Sequence, residues 1–175
     1  EYIFVFIISC FITQRSHDTL KDIYASNRHI KTIQHKMISS FANLVEGRDS
    51  FTGEHIKRTA IYVELISREL VNQGYYKDIL TEENIQLFIN TAPLHDLGKI
   101  RIPDQILCKP SSFTQEEYEI MKTHSYEGYK LIDENLSEIE SEEFLEVAKI
   151  MSLYHHEKWD GTGYPNNVKG HDIPL

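Results

Sequence analysis

The stretch Thr91-Ala-Pro-Leu-His-Asp-Leu-Gly-Lys-Ile-Arg-Ile-Pro-Asp104 decides how the rest of the chain is read. Upstream of it, Ile85, Leu87, Phe88, Ile89 and Leu94 recur at helical spacing. Thr81 opens that helix, with Glu82 and Glu83 in its first turn, where acids favour the helix dipole. Pro93 lies inside the pattern and is expected to kink its last turn, aiming His95 and Asp96 inward. Gly98 reads as a left-handed helix-closing residue. A carboxylate can bridge two cations and a neutral imidazole can hold one of them. Lys99 then places a fixed positive charge nearby, which suits a phosphate. An isolated His-Asp pair is more often a capped helix end, so its company elsewhere in the chain carries the reading.

Towards the N-terminus, a helix is expected from about Thr52 or Gly53 to Val71, ended by Asn72-Gln-Gly74. Its residues Ile56, Ala60, Ile61, Val63, Leu65, Ile66 and Leu70 are expected to face a core. His55 lies in its first turn, with Arg58 on the same side as a structural partner for a carboxylate such as Asp49. Before it, 16–46 contains no Pro or Gly, and Leu20, Ile23, Ile30, Ile33, Met37, Phe41 and Leu44 recur at spacings near three, four and seven. This reads as a helical stalk that pairs with a second chain. His17, His29 and His35 share no face and read as solvated. Glu1 to Ile12 is almost wholly apolar but shorter than the about 20 residues a bilayer needs. With Arg15 and Lys21 following, it reads as the inner half of a membrane helix with its basic side cytoplasmic. A buried strand or core helix is the bland alternative.

Towards the C-terminus, Thr114 and Glu117 form a capping box for a helix expected to run to about Ile132, carrying His124. A further helix, about Phe144 to His156, ends at His155-His156-Glu157. The segment Trp159-Asp-Gly-Thr-Gly-Tyr-Pro-Asn-Asn167 must be a loop with special backbone angles. No alternating runs bounded by hairpin turns appear, so the fold is expected to be all-α.

A net charge of −9 argues against a broad basic face for DNA or RNA, but bound cations would invert the field locally. Cys10 and Cys108 lie far apart and make neither a disulfide framework nor a thiolate zinc site. Four separate helical segments present His55, His95-Asp96, His124 and His155-His156 near their ends. Five imidazoles and one carboxylate suit one or two ions such as iron, manganese, zinc or nickel, with magnesium a further candidate. Two such ions close together could present a bridging hydroxide to phosphorus, with Lys99 offsetting the developing charge. The residues alone therefore point to a metal-dependent phosphohydrolase.

Several ordered motifs carry a resemblance. H-D-x-G-K at His95 to Lys99, I-P-D-x-I-L at Ile102 to Leu107, and H-H-E-x-x-x-G-x-G-Y-P at His155 to Pro165 resemble the HD-GYP family, a branch of the HD superfamily of metal-dependent phosphohydrolases. R-D-x-x-T-G-x-H-x-x-R at Arg48 to Arg58, M-K-x-H at Met121 to His124, and G-x-x-I-P-L at Gly170 to Leu175 are similar too. The resemblance spans about Phe41 to the last residue. It implies a helical HD bundle and a phosphodiesterase that converts the bacterial second messenger cyclic di-GMP to linear pGpG, GMP or both. By motif position His55, His95, Asp96, His124, His155 and His156 would be metal ligands, with Asp96 bridging two divalent ions. Lys99 would act in catalysis and contact the substrate phosphate. Gly163, Tyr164 and Pro165 would lie beside the site and handle substrate, and in the family their loop also contacts diguanylate cyclase domains.

Three departures qualify the resemblance. Some members carry a Glu four residues before the first histidine ligand, supporting a third metal; here that position is Phe51, so two metals are expected. The family has a further Asp ligand downstream of I-P-L, which this sequence does not reach, so a C-terminally truncated domain is expected. Asn166-Asn167-Val168 replaces a more usual Gly-containing segment. The expected organisation is a partial membrane helix at 1–12, a stalk at 13–46 and an HD-GYP domain at 47–175. The domain would be cytoplasmic at the bacterial inner membrane, or cytoplasmic throughout if 1–12 does not enter the membrane. The alternatives are a non-catalytic cyclic-dinucleotide receptor or cyclase scaffold, and an HD phosphohydrolase acting on dNTPs or (p)ppGpp. Trp159 and Tyr164 are candidates to stack on a guanine. Glu157 would orient a ligand imidazole or cap a helix end, and Arg101 and Lys109 would guide an anion or stay solvated.

Overall fold

A computed structural model describes residues 2–48, 55–138 and 140–174. Among these residues seven α-helices follow in order, α1 (Tyr2–Glu46), α2 (His55–Asn72), α3 (Glu82–Thr91), α4 (Asp104–Leu107), α5 (Gln115–Lys122), α6 (His124–Leu136) and α7 (Glu142–Tyr154). Tight 3₁₀ turns occur at Ala92–Leu94, Leu97–Arg101 and Gly170–Asp172, and no strand occurs among the described residues. The all-α expectation therefore stands. The chain divides into two compact units, 1–38 and 39–175.

The first unit is the greater part of α1. Leu20, Ile23, Ile30 and Ile33 along it are each at least 43% exposed, so its apolar stripe is uncovered in the single chain. The membrane reading of 1–12 finds no support. Among the described residues no helix is long and apolar enough to cross a membrane. The apolar run gives way within three turns to Arg15, Asp18, Lys21 and Asp22, although the helix itself continues.

The second unit holds the core. α6 packs on α7 and on the 97–101 turn, α2 packs on α3, and α7 reaches α3. Leu94, Ile132 and Ala148 are fully buried at the centre. Local chemistry explains the helix starts. The Thr81 hydroxyl accepts from the Asn84 N–H, and Ser141 does the same for Phe144. Thr114 and Glu117 form the reciprocal capping box, in which each side chain accepts from the other residue's N–H.

Three expectations are corrected. The helix capped by Thr114 breaks at Thr123, so His124 begins a new helix, α6, rather than lying inside one. In α2 only one face is covered: Ile56 and Ser67 are buried, while Ile61, Leu65 and Ile66 are more than half exposed. Residues 61, 65 and 66 fall outside the stripe 56, 60, 63, 67 and 70 that the 3.6-residue period turns towards α3. Gly98 is not left-handed. It sits in the 97–101 turn, where a Cβ would fall 1.9 Å from the His124 carbonyl oxygen and 2.4 Å from the Gly128 amide nitrogen. Its hydrogen is required by backbone contact, not by its dihedral angles. The expected turn at Arg48 to Gly53, the start of α2 before His55, Asp49 as partner of Arg58 and the non-ligating Phe51 fall mainly or wholly outside the described residues.

Candidate metal centre

Pro93 ends the α-helical ladder, and α3 passes directly into the 3₁₀ turn Ala92–Leu94. This change of winding delivers His95 and Asp96 at the buried end of the helix. His124 arrives as the first residue of α6, and His155 and His156 follow the last turn of α7. His55 begins α2. All six sequence-predicted donors come together in two groups that share one residue. Asp96, His124, His155 and His156 offer ligand atoms within 4.8 Å of one another, and so do His55, His95 and Asp96.

Three of the five imidazoles are oriented by backbone carbonyls. Nδ1 of His95 lies 2.7 Å from the Ala92 carbonyl oxygen, Nδ1 of His124 lies 2.7 Å from that of Met121, and Nδ1 of His155 lies 2.9 Å from that of Ser152. A carbonyl can only accept, so each Nδ1 carries a hydrogen and each Nε2 faces the cluster. There, Nε2 of His124 and His155 face each other at 3.2 Å. Asp96 Oδ1 lies 3.3 Å and 3.5 Å from them and, though buried, accepts no well-directed hydrogen bond. Imidazole nitrogens converging on a buried carboxylate oxygen are what a cation site requires. The donor set fits divalent transition metals.

Without metal, protons take the place of cations between these groups. Burial opposes the charge on Asp96, but hydrogen bonding from His124, His155 and His95 outweighs it and holds the carboxyl far below the usual range. Burial first, then the neighbouring imidazoles of His155 and His124, pushes His156 down to about 3. His155 is lowered by burial as well. Both are neutral at neutral pH, the form in which an imidazole can bind a metal. His95 is raised, because the adjacent Asp96 carboxylate overcomes burial.

Lys99 Nζ sits 2.9 Å from Asp96 Oδ2 and 3.4 Å from Glu46 Oε2. Tyr164 stacks on His156 with ring centroids 4.5 Å apart and lies 6.3 Å from the His124 ring. Lys122 lies 6.0 Å from the Tyr164 ring centroid. Burial first raises the Tyr164 hydroxyl above its ordinary range, so it stays a neutral phenol. Gly163 is buried, with its α-carbon against the backbone of 156–158, where a Cβ would approach within 2.5 Å. Pro165 is half-buried and joined to Tyr164 by a cis peptide bond. Gly161 and Asn167 supply the positive φ the loop was expected to need.

Other candidates are placed elsewhere. Trp159 is 68% exposed and meets the His171 ring edge-on. Glu157 Oε1 accepts from the Asn166 N–H at 2.7 Å and so ties down the loop. Arg101 is exposed and reaches Glu134 at 3.9 Å, while Lys109 pairs with Glu117. A largely apolar cavity of about 300 Å³ is lined by Val63, Val147, Met151 and Ile173 together with His95 and His155.

Sequence reasoning missed Glu46 and Ser152. Ser152 is fully buried, and its hydroxyl lies 3.3 Å from the carbonyl oxygens of both His95 and Ser125. It joins three of the four segments that carry the donors. A small polar residue four places after buried Ala148 and three before His155 was the available signal.

Comparison with known proteins agrees with this geometry. The HD domain family matches residues 52–175. The chain is 39% identical over 164 residues to a cyclic di-GMP phosphodiesterase of Vibrio cholerae, covering 94% of this chain and 33% of that protein. It is 41% identical over 132 residues to a cyclic di-GMP phosphodiesterase of Thermotoga maritima, covering 75% of this chain and 32% of that one. It is 37% identical over 140 residues to 3'3'-cGAMP-specific phosphodiesterase 2 of Vibrio cholerae, covering 80% and 24% respectively. The chain spans a third or less of the length of these relatives. With its family match and the ordered motifs from His55 to Pro165, the chain belongs to the HD domain family, in its HD-GYP branch.

Proposed function

We propose that this chain is the hydrolytic domain of a metal-dependent cyclic di-GMP phosphodiesterase, releasing linear pGpG, GMP or both. The observation that carries the reading is the pair of donor groups sharing Asp96. His124, His155 and His156 would hold one ion and His55 and His95 the other, with Asp96 common to both. When bound, two divalent ions, iron or manganese first among the candidates, supply Lewis acidity towards a phosphoryl group and a nucleophile at neutral pH.

The chain's own residues do the rest. The Nδ1–H bonds to backbone carbonyls keep the ligand lone pairs aimed without rotamer search. Lys99 offers a fixed ammonium to a non-bridging phosphoryl oxygen as charge builds there. The Tyr164 ring, held flat on His156 by the buried Gly163 turn, offers an aromatic wall beside the phosphate for a base or ribose.

A second reading, hydrolysis of a related cyclic dinucleotide, is favoured by the similarity to the 3'3'-cGAMP-specific relative. An alternative of another class is a receptor that binds without turnover, or a scaffold for diguanylate cyclase domains. The uncovered stripe of α1 supports pairing of two copies through that helix.

The test is turnover of cyclic di-GMP and 3',3'-cGAMP by the full-length protein, purified anaerobically with metal content measured. About two ions per chain with cyclic di-GMP cleaved faster supports the proposal. Faster cleavage of 3',3'-cGAMP moves the chain to the second reading. Nucleotide binding without cleavage makes it a receptor.

A further inference from the structure

The end of α1 holds Lys99 at both its side chain and its backbone. Glu46, the last residue of the helix, is 5% exposed, and its Oε2 lies 3.4 Å from Lys99 Nζ. Two residues on, the Arg48 guanidinium donates to the Lys99 carbonyl oxygen at 3.2 Å and to that of Ile102 at 3.3 Å. Arg48 also pairs with Asp104, and its own carbonyl accepts from the Cys108 thiol at 3.1 Å. The 97–101 turn is thereby fastened beneath Lys99 while Glu46 meets its tip.

Lys99 has a second carboxylate neighbour in Asp96, at 2.9 Å. Asp96 is the residue both donor groups share, so its charge is committed to cations when they bind. Glu46 is not among those donors. A lysine ammonium on a four-carbon stem keeps no single position without a partner. We propose that Glu46 is a positioning residue: it holds the Lys99 ammonium at the edge of the Asp96 cluster, where a phosphoryl oxygen can accept from it, while Arg48 fixes the backbone beneath. The inference rests on the phosphodiesterase reading for its catalytic consequence, but the coupling of Glu46 to Lys99 stands apart from it.

The experiment compares wild type, Glu46→Gln, Lys99→Ala and the double variant in the full-length protein. Metal content, kcat and KM for cyclic di-GMP, and the rate at which Lys99 is reductively methylated, read by mass spectrometry, are measured together. Glu46→Gln keeps the shape but not the charge. It is expected to retain about two ions per chain, lower kcat at least ~10-fold with KM changed less than ~3-fold, and label Lys99 several-fold faster. The double variant is expected to be no slower than Lys99→Ala alone, since residues acting through one another are not additive. Unchanged Lys99 labelling in Glu46→Gln, or losses that simply multiply in the double variant, overturns the proposal. Absent turnover in the wild type defeats the functional reading alone, and the labelling still decides the coupling. Should Glu46→Gln not fold, Glu46→Asp, which keeps the charge on a shorter arm, is held to the same labelling result.

Discussion

Asp96 Oδ1 and Nε2 of His124 face each other across 3.3 Å, both buried at the centre of the donor cluster. Asp96→Ala removes the one donor common to both groups. It is expected to bring metal content from about two ions per chain to below one and to abolish turnover. His55→Ala touches only one group and should leave about one ion. Elemental analysis of the two purified variants distinguishes a shared ligand from two independent sites.

Gly98→Ala would drive a methyl group into the backbone of α6, with nothing flexible to yield. The expected loss of stability is at or beyond the upper end of the ~1–3 kcal/mol typical of overpacking. Urea denaturation of the metal-free protein measures it. A loss under ~1 kcal/mol would mean the two segments separate easily, contrary to the packing described.

Acid should weaken the metal-free fold. His156, pushed down to about 3 by burial and then by its neighbouring imidazoles, stays unprotonated where an unfolded chain takes up a proton near 6.5. His155 is lowered by burial in the same direction. The unfolded state therefore binds more protons between about pH 3 and 6.5, and stability falls as pH drops through that window. His95 is raised and works oppositely, stabilising at low pH and offsetting part of the loss. In EDTA the melting temperature is expected to fall from pH 7.5 to pH 5. His156→Asn should flatten the slope.

Tyr164→Phe and Tyr164→Ala separate the ring from its hydroxyl. The hydroxyl remains protonated, while the ring stacks on His156. Tyr164→Phe is expected within ~3-fold of wild-type kcat/KM. Tyr164→Ala should lose ~10-fold or more, at ~1–3 kcal/mol per stacked base. Steady-state kinetics on cyclic di-GMP settles the comparison.

Much of this was legible in residue order. Thr81, Thr114 and Glu117 announce helix starts through local hydrogen bonds, and Pro93 announces a change of winding within one turn. The six donors were reached through helix ends and ordered motifs, and the fold brings them together. What was not legible depended on distance in the sequence. Whether Gly98 serves its own dihedral angles or a neighbour 30 residues away cannot be read locally, because both need the same missing side chain. Ile61, Leu65 and Ile66 look like core residues because hydrophobicity does not state which face will be covered. Glu46 and Ser152 carry no motif, and only packing shows that one reaches Lys99 and the other joins three donor segments.

The loop that seats Tyr164 makes the two donor groups unequal. Its ring lies over His156 and beside His124, both in the four-donor group. The group of His55, His95 and Asp96 contains neither of these histidines. Under the proposed two-ion reading, the ion beside Tyr164 would be the shielded one. Chelation of the full-length protein should then proceed in two phases, the ion held by His55 and His95 leaving first.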